Sequence, residues 1–326
     1  MIISRTPFRV SFFGGGTDFP YFYEKHGGAV LLATINQYCY LSIHKLSPFF
    51  KHRFRASYAK TESVLQPQEF QHPLVRECLL HLDIQEGLEI SHVADLPGRT
   101  GMGTSSSFTV GLLHALHAFR GDRVTAEDLA REAVHVERVR VGDDGGHQDQ
   151  YAAAYGGFLR LDFSAGPKVA VKKLSLPSAR LRALEERLML FYTGVEQSSE
   201  NILREQKQRA PQNVAHLQEM KSLVDEAERV LEAGRDLDDF GALLHHTWEL
   251  KKGLSTGIST PAMDQAYAAA CRVGALGGKL LGAGGRGFLL MFAPPDRRNK
   301  VRDALSFYQP VPISMAGDGS RIIFQS

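Results

Sequence analysis

The segment Pro97-Gly98-Arg99-Thr100-Gly101-Met102-Gly103-Thr104-Ser105-Ser106-Ser107 runs directly into an apolar stretch that reads as a helix from Ser105 to Arg120, closed by Gly121. Glycines and hydroxyls at a helix start restrict what the junction can do. Glycine lets backbone N–H groups converge on an anion, and the first helical turn adds its own unpaired N–H groups and the positive end of its dipole. The junction therefore suits a polyphosphate, with Gly101 to Ser107 as the contact residues and one hydroxyl free to meet Mg²⁺. It is not a Walker A loop, because no Lys follows the glycines, and no HRD-type catalytic loop of a protein kinase appears later. Taken alone, it also fits an ordinary capped turn.

A chain of 326 residues exceeds what one hydrophobic core usually serves, so two domains are expected. FRVSFFGGG and GGAVLLATINQYCYLSIHKL are strand-and-turn sequences, rich in β-branched and aromatic residues. A short helix is expected over 73–81, then the strand LEISHVADL. A further helix should start at Thr125, whose hydroxyl pairs with Asp128 in a capping box, and run to about Val141. GGFLRLDF and VAVKKLSL read as paired strands. From Glu196 to Lys252 the composition turns to amphipathic helix, in two or three pieces. Thr260 and Pro261 open another helix, and GGKLLGAGGRGFLLMFAP reads as strand, Gly turn, strand. The order implies α+β architecture in both halves, with domains 1–182 and 183–326.

Charge and composition exclude several functions. A net charge of +2 with no dense basic stripe gives no support for nucleic-acid binding. No stretch approaches a membrane span, and Arg5 and Arg9 interrupt the N-terminal apolar run, unlike a signal sequence, so a cytoplasmic protein is expected. Cys39, Cys78 and Cys271 lie far apart without CxxC spacing and are expected as reduced, partly buried thiols. His114 and His117 form a lone i,i+3 pair, which suits a helix surface better than a metal.

Two carboxylates stand out. Glu137 falls on the apolar stripe of Leu129, Ala130, Ala133, Val134 and Val141, with Arg138 and Arg140 directed elsewhere. A buried carboxylate requires a cation or a structural ion pair. Asp149 follows in GGHQDQYAAAYGG. One carboxylate for Mg²⁺ and one for an acceptor hydroxyl would serve phosphoryl transfer.

Three motifs in order resemble the GHMP kinases: Pro7-Phe8-Arg9-Val10 through Gly14-Gly15-Gly16-Thr17-Asp18, the loop Gly101-Met102-Gly103-Thr104-Ser105-Ser106, and Gly282-Ala283-Gly284-Gly285-Arg286-Gly287. The resemblance spans almost the whole chain. It implies a ribosomal-protein-S5-domain-2-like N-terminal domain and a ferredoxin-like C-terminal domain, with ATP and Mg²⁺ bound between them. It further implies Asp149 as the catalytic acid/base with Arg9 beside it, Ser105 and Glu137 as Mg²⁺ ligands, and Gly16, Thr17, Asp18, Gly284 and Gly285 near the acceptor. Arg9 also fits a strand-end charge, and Asp18 a turn cap.

Closer still, GGGTDFPYFYEKHGGAVL, LPGRTGMGTSSSFTVGLL, GHQDQYAAAYGG and WELKK resemble the branch that phosphorylates the anomeric hydroxyl of D-glycero-D-manno-heptose 7-phosphate. Gly15-Gly16 stands where galactokinases carry an acidic residue and His, and Arg286 where the family often has Gly. Arg53, Arg55, Lys60, Lys251, Lys252 and Arg286 are the candidate contacts to a substrate phosphate. Another GHMP sugar 1-kinase, galactokinase- or fucokinase-like, and a non-catalytic sugar sensor are the alternatives. The oligomeric state stays open between monomer and homodimer.

Overall fold

The computed structural model describes residues 1–166, 168–194 and 199–326. The first unit holds β1 (Ile2–Phe13), α1 (Pro20–His26), β2 (Gly28–Lys45), β3 (Phe54–Ser57), β4 (Thr61–Val64), α2 (Pro73–His81), β5 (Leu88–Ala94), α3 (Thr104–Arg120), α4 (Ala126–Val134), α5 (Gln148–Tyr155), β6 (Phe158–Phe163) and β7 (Val169–Lys173). After α6 (Ser178–Glu185) come β8 (Leu188–Gly194), α7 (Ser199–Arg209), α8 (Val214–Glu232), α9 (Leu237–Lys252), α10 (Pro261–Arg272), β9 (Gly277–Leu280), β10 (Gly287–Phe292), α11 (Arg298–Ala304), β11 (Gln309–Val311) and β12 (Arg321–Gln325). Glu196, where the helical stretch was expected to begin, lies outside the described residues; three helices occupy 199–252.

The strands form two sheets. The larger has the order β12-β1-β2-β5-β3-β4, and the long β2 also pairs β6, which pairs β7. The smaller is antiparallel, in the order β11-β8-β10-β9. The fold is α+β with two such units, and the change of sheet falls between β7 and β8. One element departs from a simple division by sequence: β12, at the chain's end, returns to pair antiparallel with β1.

The apolar pattern of α3 explains its place at the centre of the first unit. Ser106 to Leu113 and Ala115 to His117 are buried, and Gly121 in the left-handed region (φ 78°) ends the helix. The seam between the units is aromatic. Phe240 of α9 meets Phe12 and Phe13 of β1 and Phe292 of β10, with ring centroids 5.0–5.7 Å apart. The edge-on contacts with Phe12 and Phe13 add to the area they bury and fix the second unit against β1. Among the described residues no helix is long and apolar enough to cross a membrane.

Candidate active site

A cleft of about 1460 Å³ lies between the units, with the glycine-rich loop as one wall. Gly103 takes the left-handed conformation (φ 72°) just before α3, so the chain turns sharply into the helix. Gly101, Gly103, Thr104, Ser105 and Ser106 line the cleft. Met102 and Ser107 do not. The Met102 side chain is fully buried while its carbonyl accepts from Arg9 N (3.1 Å), and Ser107 Oγ donates to the Pro7 carbonyl (2.8 Å). These two residues anchor the loop to β1.

The C-terminal glycine segment braces the loop from the far side. A Cβ at Gly282 would lie 2.3 Å from Gly101 Cα, and one at Gly287 2.5 Å from the Thr100 carbonyl. Backbone meets backbone at that seam, and only glycine permits it. Gly284 and Gly285, expected at the acceptor, are instead spent on Ile258: a Cβ at Gly284 would fall 2.6 Å from Ile258 Cα, and Gly285 N donates to the Ile258 carbonyl (3.0 Å).

Arg9 and Asp149 meet beneath the loop. Arg9 Nε donates to Asp149 Oδ1 (2.8 Å) and Nη2 to Oδ2 (2.7 Å), while Nη1 reaches the Gly101 carbonyl (2.5 Å). The fork fixes the carboxylate plane, and Asp149 sits in the first turn of α5, where the helix dipole favours negative charge. A Cβ at Gly103 would lie 3.4 Å from the Asp149 carboxylate, so the pair is directly under the phosphate wall.

Glu137 owes its position to a local change of helix. After α4, residues His135–Arg140 form a π-helical turn, with Val141 N donating to the Val136 carbonyl (2.9 Å). The wider turn buries Val136 and Glu137 together, a common device at functional sites. Glu137 is 1% exposed; Oε2 accepts from Ser106 Oγ (3.0 Å) and Gln150 Nε2 (2.8 Å). The expected neighbour was Ser105, but the bond comes from Ser106, which α3 turns inward while Ser105 stays exposed at the cleft. Arg138, expected to point away, folds back to 3.5 Å from Glu137 Oε2. Burial nonetheless raises the Glu137 carboxyl above its ordinary value, against the pull of Arg138 and the hydrogen bonds.

Glu137 Oε1 is buried and has no hydrogen-bond partner. An orphaned carboxylate oxygen in a cleft wall, beside serine hydroxyls, fits a hard divalent cation such as Mg²⁺. Among the described residues no three His, Cys, Asp or Glu side chains gather to hold a metal.

Asp18 and Gly16 also line the cleft. Asp18 Oδ1 accepts from Gly16 N (3.0 Å) and Oδ2 from Gln148 Nε2 (3.0 Å). Burial, then the charge of Asp149, raises its carboxyl. Thr17 faces away: its hydroxyl donates to the Gly14 and Ala29 carbonyls (2.8 Å each) and holds the turn.

Of the six cations expected at a substrate phosphate, only Lys251 lines the cleft. Arg55 is paired with Glu89, Lys252 with Glu249, and Arg286 lies exposed beyond the glycine turn. Four cleft cations were not among those expected: Arg99, Arg138, Arg204 and Lys279. Lys279 is 2% exposed and donates to the Phe12 carbonyl (3.0 Å); burial, then Lys251 and Arg9, push its ammonium well down. A lone Lys inside the buried strand Gly277–Leu280 was the available signal.

A glycine-rich loop opening a helix, an orphaned carboxylate oxygen beside it and a forked Arg–Asp pair beneath it are the parts that phosphoryl transfer to a small molecule calls for. Residues 73–157 match the GHMP kinases N terminal domain and residues 200–310 the GHMP kinases C terminal domain. The chain belongs to the GHMP kinases. It is 28% identical over 315 residues to a D-glycero-alpha-D-manno-heptose 7-phosphate kinase of Campylobacter jejuni, covering 93% of each chain. An L-fucokinase/L-fucose-1-P guanylyltransferase of Bacteroides fragilis is 29% identical over 71% of this chain and 25% of its own. A crystal structure of a D-glycero-D-manno-heptose 1-phosphate kinase from Bacteroides thetaiotaomicron superposes over 100% of both chains, with TM-score 0.81 and 25% identity.

Proposed function

We propose that the chain transfers the γ-phosphoryl group of ATP to the anomeric hydroxyl of D-glycero-D-manno-heptose 7-phosphate, giving the 1,7-bisphosphate. The observation that carries the chemistry is the Arg9–Asp149 fork beneath the glycine loop. The similarity to the Campylobacter kinase supports the choice of sugar.

ATP phosphates rest against Gly101 and Gly103 to Ser106, which line the cleft. Asp149 orients the C1 hydroxyl and takes its proton; the sugar oxygen forms the new bond to the γ-phosphorus as the β–γ bridging bond breaks, and ADP leaves with that electron pair. An anomeric hydroxyl is more acidic than other sugar hydroxyls, which eases the demand on a carboxylate base. Arg9 stabilises charge on the carboxylate and on the transferring group. Glu137, with Ser105 and Ser106 beside it, would hold Mg²⁺, which when bound neutralises charge on the phosphate oxygens. Arg138, Arg204 and Lys251 supply the positive charge a phosphorylated acceptor calls for.

Incubation with ATP, Mg²⁺ and a panel of hexoses and heptose 7-phosphates, followed by phosphorus NMR of the product, tests this. The expected product is one 1,7-bisphosphate. Turnover of fucose or galactose in preference to the heptose would replace the sugar, and sugar binding without ADP release would remove the reaction.

A further inference from the structure

Gly15 is a glycine that the backbone does not require. Its neighbours Gly14 and Gly16 have φ of 76° and 104°, and a Cβ at Gly14 would strike the Ala29 carbonyl at 1.9 Å. Gly15 has no such φ, and a Cβ there would meet only Ser11 Oγ at 3.7 Å and Gln148 Nε2 at 3.8 Å, ordinary contact distances. An alanine fits the protein at this position. The space that a side chain would fill opens on the cleft, which Gly15 lines together with Ser11, Asp18 and Gln148.

The walls of that recess hold two unspent polar atoms. Ser11 Oγ is buried without a hydrogen-bond partner. Gln148 uses Nε2 on Asp18 and is left with a buried, unpartnered Oε1. Native proteins leave few buried polar groups unpaired, because each lowers stability. Two at one recess, one able to donate or accept and one only to accept, match a ligand hydroxyl that donates to the amide oxygen and exchanges a bond with the serine.

We propose that Gly15 determines acceptor specificity: the recess it leaves open takes a hydroxylated arm of the sugar beyond the hexose length, read by Ser11 Oγ and Gln148 Oε1. In taking that arm to belong to a heptose, the inference rests on the proposed function.

The experiment compares wild type, Gly15→Ala and Ser11→Ala on D-glycero-D-manno-heptose 7-phosphate and on mannose 6-phosphate, which lacks one hydroxylated carbon. Gly15→Ala is expected to lower kcat/KM for the heptose by about tenfold or more through KM, the scale set by one methylene in a fitted pocket, and to change mannose 6-phosphate by less than about threefold. Ser11→Ala should reduce the heptose preference without lowering Tm, since Oγ has no partner in the protein; KM for ATP should stay the same in both variants. Equal losses on both sugars, or none, overturn the proposal, as does a Ser11→Ala variant whose Tm falls. If wild type ignores the heptose, the proposed substrate fails by itself. The comparison is then made with the sugar that turns over in the panel and its homologue one exocyclic carbon shorter, with the same criteria.

Discussion

Replacing Glu137 by Gln is expected to stabilise the protein while abolishing its response to Mg²⁺. The amide keeps the shape of the carboxyl group, and its oxygen retains the bonds from Ser106 Oγ (3.0 Å) and Gln150 Nε2 (2.8 Å). What disappears is a charge on a side chain 1% exposed, with one oxygen unpaired and Arg138 3.5 Å from the other; the cost of burial outweighs the pull of that Arg. A buried polar group without a partner costs about 1–3 kcal/mol and more when charged, so passing from charged to neutral should return on the order of 1 kcal/mol. In a chain of 326 residues that is a rise in Tm of about 1.5 °C at pH 7. The sign follows from the raised carboxyl of Glu137, ordinarily 4.5. A group raised on folding contributes stability fully below its unfolded value and loses it as pH rises through the folded one. The gain over wild type should therefore be largest near neutrality and vanish by about pH 4, below both values. Scanning calorimetry from pH 4 to 8, with and without Mg²⁺ and a non-hydrolysable ATP analogue, measures both effects. Saturation at a hundred times Kd adds about 2.7 kcal/mol to wild type. A variant that melts lower than wild type at pH 7, or that keeps the Mg²⁺-dependent part of the shift, would refute the reasoning.

Asp149→Asn removes the proton acceptor and sets an amide N–H₂ against Arg9 Nη2, at a position now 2.7 Å from it; kcat should fall at least about 100-fold with KM for ATP nearly unchanged, and near-normal turnover would take Asp149 out of the mechanism. Gly282→Ala forces a Cβ to 2.3 Å from Gly101 Cα at a backbone φ of 74°. Nucleotide affinity, read by fluorescence titration, should drop about tenfold or more and Tm should fall; unaltered binding would mean that the second unit does not brace the loop. His117 is raised above its ordinary 6.5, chiefly by its hydrogen bond to Glu132. The stability it contributes is complete below pH 6.5 and lost as pH rises through the folded value, so wild-type Tm should decline over that window and His117→Gln should flatten the decline.

The parts of the site that were legible in the sequence are those whose chemistry is local. Thr125 and Asp128 form the capping box expected of them, and Gly103, Thr104 and Ser105 open α3 where glycine and hydroxyl residues should. Arg9 and Asp149 lie 140 residues apart, and no spacing rule joins them; the resemblance to a family supplied that pairing. The π-helical turn at His135–Arg140 has no composition of its own, so the inward turn of Arg138 toward Glu137 could not be read from helical periodicity. The final strand β12 escaped for a related reason: its pairing with β1 is decided by a chain that returns across the whole molecule.

Lys279 shows why the seam carries the information that sequence withholds. All four residues of β9 are buried, so a charge in that strand must find its partner across the gap, and it finds the Phe12 carbonyl of β1. The same seam sets Gly282 on Gly101, while Arg9 joins Asp149 to the Gly101 carbonyl. Loop, Asp149 and brace are thus coupled, by the Arg9 side chain on one side and by glycine backbone packing on the other. A substitution that loosens the second unit, even one far from the phosphates, should then weaken nucleotide binding before it alters the chemistry at Asp149, because the loop loses its backing while the Arg9–Asp149 fork, held wholly within the first unit, stays formed.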